Sequence, residues 1–221
     1  MTRHLLLALT AWCIAGVASS RASQATIGPE LVHAAGGRLD TLLADPVAST
    51  IRWTGTKFRG LGKHAGTIAL AEGELVLRHE QLVSGRFTID MRRMGVTDIP
   101  AHEPVPRRRL LAHLQGRDFF DVARFPTAQF RANSVTRIGP ARYRLAGDLT
   151  MLGLSRPIEF ETQVRWPEVG HMIATAAITL DRQRWGIAYR GSRLTNDLVD
   201  DDIQIALVLD ARRRAPLLGA R

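Results

Sequence analysis

Histidines are the residues of this chain best equipped for acid–base or metal chemistry, and their spacing excludes most of what histidines do in groups. Beyond His4 they fall at His33, His64, His79, His102, His113 and His171, and none forms an H-x-H, H-x-x-x-H or H-E-x-x-H pair. A zinc site needs three or four ligands, and the only cysteine is Cys13. No metal is therefore expected. No G-x-S-x-G occurs to mark a serine nucleophile. Asp200-Asp201-Asp202 lacks the regular spacing of a calcium loop and reads as an acidic turn before a strand. Asp90, Asp118 and Asp148 stand at turns or strand ends, where carboxylates accept backbone N–H bonds. No catalytic residue is assigned; if the chain were an enzyme, His64 or His113 would be its acid or base. One polar cluster remains. Lys57, Arg59, Lys63 and His64 share a candidate hairpin, and Lys57 and Lys63 are the only lysines. Lys57, Lys63 and His64 could hold a pyrophosphate or quinone oxygen through charge-assisted hydrogen bonds. A solvated polar loop has the same composition.

The elements that would position these groups are strands. Ile51 and Trp53 alternate with Thr50, Arg52 and Thr54, the period of a half-buried strand. Ile68 and Leu70 repeat it, and Leu75 and Leu77 follow across Glu72-Gly73, which reads as a hairpin. Phe87, Ile89 and Met91 form another strand, and Phe130 with Ala132 share a face. Tyr143 to Met151, Ile158 to Val164 and Ala174 to Leu180 each keep a single apolar parity, with a turn at Leu152-Gly153-Leu154. Trp185, Ile187 and Tyr189 read as a further strand, and Ile203 to Leu209 as the last. Between them, Pro100, Pro104 and Pro106 punctuate a long connection. Leu110, Leu111 and Leu114 have helical spacing there, Gly116 is the stop, and Asp118 suits the cap of a second short turn.

About eight strands with one apolar face each imply a mainly β domain, either a sandwich or a closed barrel, and closure also removes sheet edges. The mid-chain helix favours a barrel with one end plugged. Small inward positions (Gly147, Thr162, Ala174, Ala176) hint at an interior that is not tightly filled, and a barrel of about eight strands has room for one small ligand.

Residues 1–22 read as a cleavable signal peptide. Arg3 supplies the basic start, Leu5 to Ala18 is uncharged and mostly apolar, and small residues follow. That apolar run of 14 residues is shorter than the roughly 20 needed to span a bilayer. The expected location is periplasmic or secreted. Residues 23–45 read as an irregular lead-in, 46–211 as the barrel and 212–221 as an Arg-rich tail. The net charge of +9 comes from scattered arginines, and aromatics are only 6%. Nucleic-acid binding, which wants a basic stripe with interleaved aromatics, is not expected. A salt-sensitive attraction to anionic membranes is compatible with the charge.

A collinear set of motifs then carries a resemblance. Trp53-Thr54-Gly55 precedes Gly62-Lys63-His64-Ala65-Gly66-Thr67-Ile68 and Gly85-Arg86-Phe87-Thr88-Ile89-Asp90-Met91. His113-Leu114, Asp118-Phe119-Phe120-Asp121-Val122 and Phe125-Pro126-Thr127-Ala128-Gln129-Phe130 follow, then Gly147 to Gly153 and Arg156-Pro157-Ile158. Over Ala48 to Ala211 the chain resembles the YceI-like family. The resemblance implies an extended antiparallel lipocalin-like β-barrel whose apolar lumen takes a long polyisoprenoid chain, polyprenyl or isoprenoid quinone. It implies a carrier or sequestering protein rather than an enzyme, with no cofactor beyond such a lipid. Contact with the membrane or a cytochrome b-type membrane protein, and a homodimer, are further partners it allows. Trp53, Phe87, Ile89, Leu149, Phe160 and Trp185 are the expected lumen residues. The chain departs from relatives that carry a long aromatic loop after this point: Arg190 to Asp202 is short and has no aromatic.

Overall fold

The alternating apolar positions close into a ring. The computed structural model describes residues 39–189 and 199–213, all within one unit spanning residues 37–221. The expected signal peptide, most of the lead-in, residues 190–198 and most of the tail lie outside the described residues. In chain order the elements are β1 (Leu39–Ala44), β2 (Thr50–Lys57), β3 (Gly62–Arg78), β4 (Gln81–Val96), α1 (Pro104–Gln115), β5 (Thr127–Arg137), β6 (Arg142–Met151), β7 (Leu154–Glu168), β8 (His171–Asp181) and β9 (Val199–Arg213). From β2 through β9 every neighbouring pair is antiparallel. The ring closes where β9 pairs with β2.

Nine strand segments make eight staves, because β1 and β2 share one position. Both pair with β3 on one side and β9 on the other, β1 opposite Glu74–Arg78 and β2 opposite Gly62–Ile68. Residues 45–49 step out of the ladder between them. Asp45 organises that step by accepting the Val47 and Ala48 N–H groups at 2.8 and 3.1 Å. The lead-in is thus corrected: its last residues form a strand, with Leu42 and Ala44 facing the core. Likewise β9 continues to Arg213, so the stave takes the first residues of the expected tail.

Two other readings change. Glu72-Gly73 is not a hairpin but paired strand just after a bulge at Ala71 inside the 17-residue β3, and the turn lies at His79-Glu80. The bulge moves the inward parity from Ile68 and Leu70 to Leu75 and Leu77, and a side chain at Gly73 would collide with the Phe87 ring. Trp185 to Tyr189 is not a strand. Arg182–Trp185 is a 3₁₀ turn ended by Gly186 at φ 78°, with the Asp181 carboxylate accepting the Gln183 N–H. The helix matches its expectation, with a proline in its first turn and Gly116 after its last residue. Asp118 caps nothing, and backbone bonds from Phe119 to Val122 into residues 114–116 close the chain there instead.

Candidate functional site: an apolar lumen with a polar rim

One end of the barrel is filled. Leu42, Leu75, Leu77, Met172 and Ala211 are at most 2% exposed, and Leu82, Tyr143, Leu145 and Val164 pack with them. Of the small inward positions, Ala174 belongs to this packed cluster, and none of Gly147, Thr162, Ala174 and Ala176 borders the cavity at the other end. Gly147 lets the Arg131 backbone approach, Thr162 donates to the Thr175 carbonyl at 3.0 Å, and Thr162 and Ala174 are buried.

The other end is different in kind. A cavity of about 410 Å³ occupies the barrel, within the size range of small-molecule sites. Its wall is built from inward positions of the strands, among them Leu70, Ile158, Ile178, Ile205 and Leu207. Five of the six expected lumen residues stand on it: Trp53, Phe87, Ile89, Leu149 and Phe160. Phe87, Phe130 and Phe160 form an aromatic row, with centroids 6.5 and 5.4 Å apart. Trp185 does not join them. Although only 1% exposed, it packs in the wall with its indole Nε1–H donating to the Leu149 carbonyl at 3.0 Å.

Along β9 the inward Ile203, Ile205 and Leu207 are only half-buried, while the alternating Asp202, Gln204, Ala206 and Val208 face outside and are exposed. Phe87, Ile89, Ile158, Phe160 and Leu180 are also only partly buried, although they point inward. The surface they retain therefore faces the cavity. Their side chains do not fill the barrel.

Gly66 helps set the width of this space. A Cβ there would lie 2.7 Å from the Trp53 ring and 1.8 Å from the Gly95 carbonyl oxygen, so its absence lets the indole lie against β3. The buried Trp53 N–H has no hydrogen-bond partner among the described residues.

Polar groups gather at the rim. His64 on β3 and His113 on α1 both border the cavity, as do Lys57, Arg182 and Tyr189. His64 Nδ1 lies 2.8 Å from Asp98, which also accepts the Ala65 N–H at 3.0 Å. Burial works to raise the Asp98 carboxyl, but the Ala65 N–H and the His64 ring outweigh it and hold the group below the usual aspartate value. His113 sits 3.6 Å from Asp118 and edge-on to the Phe119 and Tyr189 rings. Lys63 points away: it is exposed on the outer face, as strand alternation next to inward His64 requires.

Two residues hold this rim: Arg182, which did not stand out in the sequence, and Asp200, which read there only as part of an acidic turn. Arg182, 2% exposed, donates to the carbonyls of Ile187, Val199 and Asp200 and reaches Asp201 at 3.3 Å. Desolvation lowers its pKa, while Asp201, Asp181 and Asp200 act in the opposite direction. Asp200 accepts the Thr56 hydroxyl at 2.5 Å and the Arg59 and Gly60 N–H groups at 3.1 and 3.0 Å, and the Thr56 bond leads in holding its pKa low. The acidic run thus lies in a strand and holds a turn. The described residues contain no cluster of three metal-ligating side chains.

Comparison with known proteins agrees with this architecture. The model of the YceI-like domain matches residues 43–211. A UPF0312 protein of Pseudomonas putida is 32% identical over 98 residues, 42% of this chain and 50% of that protein. A UPF0312 protein of Yersinia pestis is 36% identical over 52 residues, 24% of this chain and 27% of that one. The chain thus spans at most about half the length of these curated relatives. Among solved structures, Burkholderia cenocepacia BcnA aligns with a TM-score of 0.64 at 17% identity, covering 76% of this chain and 98% of that one. A polyisoprenoid binding domain from Saccharophagus degradans, implicated in plant cell wall breakdown, aligns at 0.58 and 12%, covering 80% and 100%. At such identities the shared property is the fold.

Proposed function

Because this chain belongs to the YceI-like family, and because large apolar side chains line its barrel without filling it, we propose that it binds a long apolar isoprenoid-type lipid in the lumen. It acts as an exported carrier or sequestering protein for that lipid, a polyprenyl or an isoprenoid quinone. The observation that carries the reading is the surface left on inward Ile203, Ile205, Leu207, Phe87 and Phe160. Each CH₂ moved from water onto such a wall gains about 0.8 kcal/mol, so a prenyl chain binds without any chemistry. The likeness in fold to a structure described as a polyisoprenoid binding domain supports the same ligand class. The polar end of the lipid lies at the rim beside Lys57 and His64, both of which border the cavity. Lys63, on the outer face, takes no part in that contact.

The test is native mass spectrometry of the protein purified from its own source, beside an Ile205→Trp variant. Ile205 is opposite Trp53 and Ile178 in the ladders, so an indole there occupies the middle of the lumen. The wild type is expected to carry a prenyl-lipid mass, and the variant to be folded and free of it. A wild type that carries no lipid and takes up none when offered farnesol refutes the reading.

An enzymatic alternative has one observation in its favour, the Asp98-backed imidazole of His64 on the rim. It requires that His64→Ala abolish conversion of a lipid while leaving its binding intact.

A further inference from the structure

The hairpin between β2 and β3 carries an exposed surface that the lumen does not use. Phe58 is 41% exposed and Leu61 is 90% exposed. Lys57, Arg59 and Lys63 flank them, and residues 57–63 contain no acid. None of these three cations is ion-paired among the described residues. At the far end of the barrel, by contrast, Arg86 pairs with Glu74, Arg212 with Glu168 and Arg213 with Asp40.

The turn is also held in place at a conformational cost. Phe58 and Arg59 have φ of 54° and 55°, followed by Gly60 at 88°. A side chain in that left-handed region is disfavoured, and the Asp200 carboxylate offsets the cost by binding two of the turn's N–H groups. What this fixed turn presents outward is apolar tip and positive charge. Phe58 also borders the cavity, so the tip is continuous with the mouth of the lumen. On the other side of that mouth, α1 adds the exposed Arg108 and Arg109.

We propose that this hairpin is a docking surface for a bilayer bearing anionic headgroups. Leu61 and Phe58 enter the interfacial region, and Arg59, Lys63 and the rim-facing Lys57 meet the phosphates. Docking here opens the lumen onto the lipid phase, so a chain can pass between bilayer and barrel without crossing water. Its role rests on the carrier reading above, but its measurement does not.

The test compares sedimentation of the full chain with phosphatidylcholine vesicles that contain or lack phosphatidylglycerol. Preferential binding to the anionic vesicles is expected, and the preference disappears near 1 M salt, where the screening length falls to about 3 Å. Leu61→Ser lowers binding about tenfold through lost apolar burial. Arg59→Gln and Lys63→Gln each lower it about fivefold. Val169→Ser is the matched control: Val169 is 89% exposed in the β7–β8 turn at the opposite end, and its loss leaves binding unchanged. Equal binding to both vesicle types, or a Leu61→Ser effect no larger than that of Val169→Ser, overturns the proposal. Farnesol uptake separates the two readings. Leu61→Ser that releases vesicles yet takes up farnesol supports docking. A wild type that binds vesicles but takes up no farnesol refutes the carrier and leaves docking standing.

Discussion

The two ends of this barrel are built from the same alternating strands, yet they differ in what the inward side chains do. At the far end Leu42, Leu75, Leu77 and Met172 pack to completion, and Arg212 and Arg213 nearby are ion-paired. At the near end inward residues of similar size keep a surface toward a 410 Å³ space, and the cations of the hairpin have no ion-pair partner among the described residues. Apolar content does not distinguish the halves. The difference is packing: one half is a core, which gives stability, and the other is a lining, which gives up contacts it could have made.

The sharpest way to break that comparison is to truncate one residue in each half. Leu75→Ala in the plug should cost about 2–5 kcal/mol in urea unfolding, because it opens a cavity where none exists. Phe160→Ala borders space already and should cost roughly half as much, while weakening farnesol binding that Leu75→Ala leaves intact. Equal losses in both assays would erase the distinction between core and lining. A smaller effect is expected at the wall between them. Trp185→Phe leaves the Leu149 carbonyl without its donor and should cost about 1 kcal/mol with no change in uptake, because the indole is not part of the lumen surface.

The smallest effect is one of acidity, and it separates the ends by charge. Asp98 and Asp200 have carboxyls held below the ordinary value of 3.8 by their partners at the rim. A lowered folded-state pKa stabilises the fold above the unfolded value. That contribution is lost as pH falls below 3.8 toward the folded value. Amide protection of Arg59, Gly60 and Ala65 should therefore fall on acidification before that of the β8–β9 ladder around Met172. Asp45, lowered chiefly by the Ala48 N–H, predicts the same sign for Val47 and Ala48. Simultaneous loss at Met172 would mean that the ends are not independent.

Much of the barrel was legible because period-2 alternation states which side chains share a face. The series Tyr143–Met151, Ile158–Val164, Ala174–Leu180 and Ile203–Leu209 each lie in a strand as their period predicts, whereas grouping Lys63 with His64 overlooked the same alternation. The failures have local causes. A bulge at Ala71 shifts parity, and the Glu72-Gly73 that follows it looks like a chain reversal. The spacing of Trp185, Ile187 and Tyr189 imitates a strand, but a 3₁₀ turn and a left-handed Gly186 produce it. β1 is short and its pattern is blunted by the exposed Leu39 and Leu43. The openness of the lumen was not legible at all, since a filled core and a lining use the same residues. Arg182 and Asp200 were missed because their work is holding backbone, which no motif encodes.

At Gly66 the bore of the conduit is set by an atom that is not there. A Cβ there would meet the Gly95 carbonyl oxygen at 1.8 Å and the Trp53 indole at 2.7 Å, so both the β4 backbone and the ring lie close because it is absent. Any side chain at position 66 would push both the β4 backbone and that ring from their places. A single methyl group, too small to obstruct anything itself, would shift a strand and a tryptophan that lines the cavity together. The calibre of the lumen is thereby tied to a backbone position rather than to the side chains that line it.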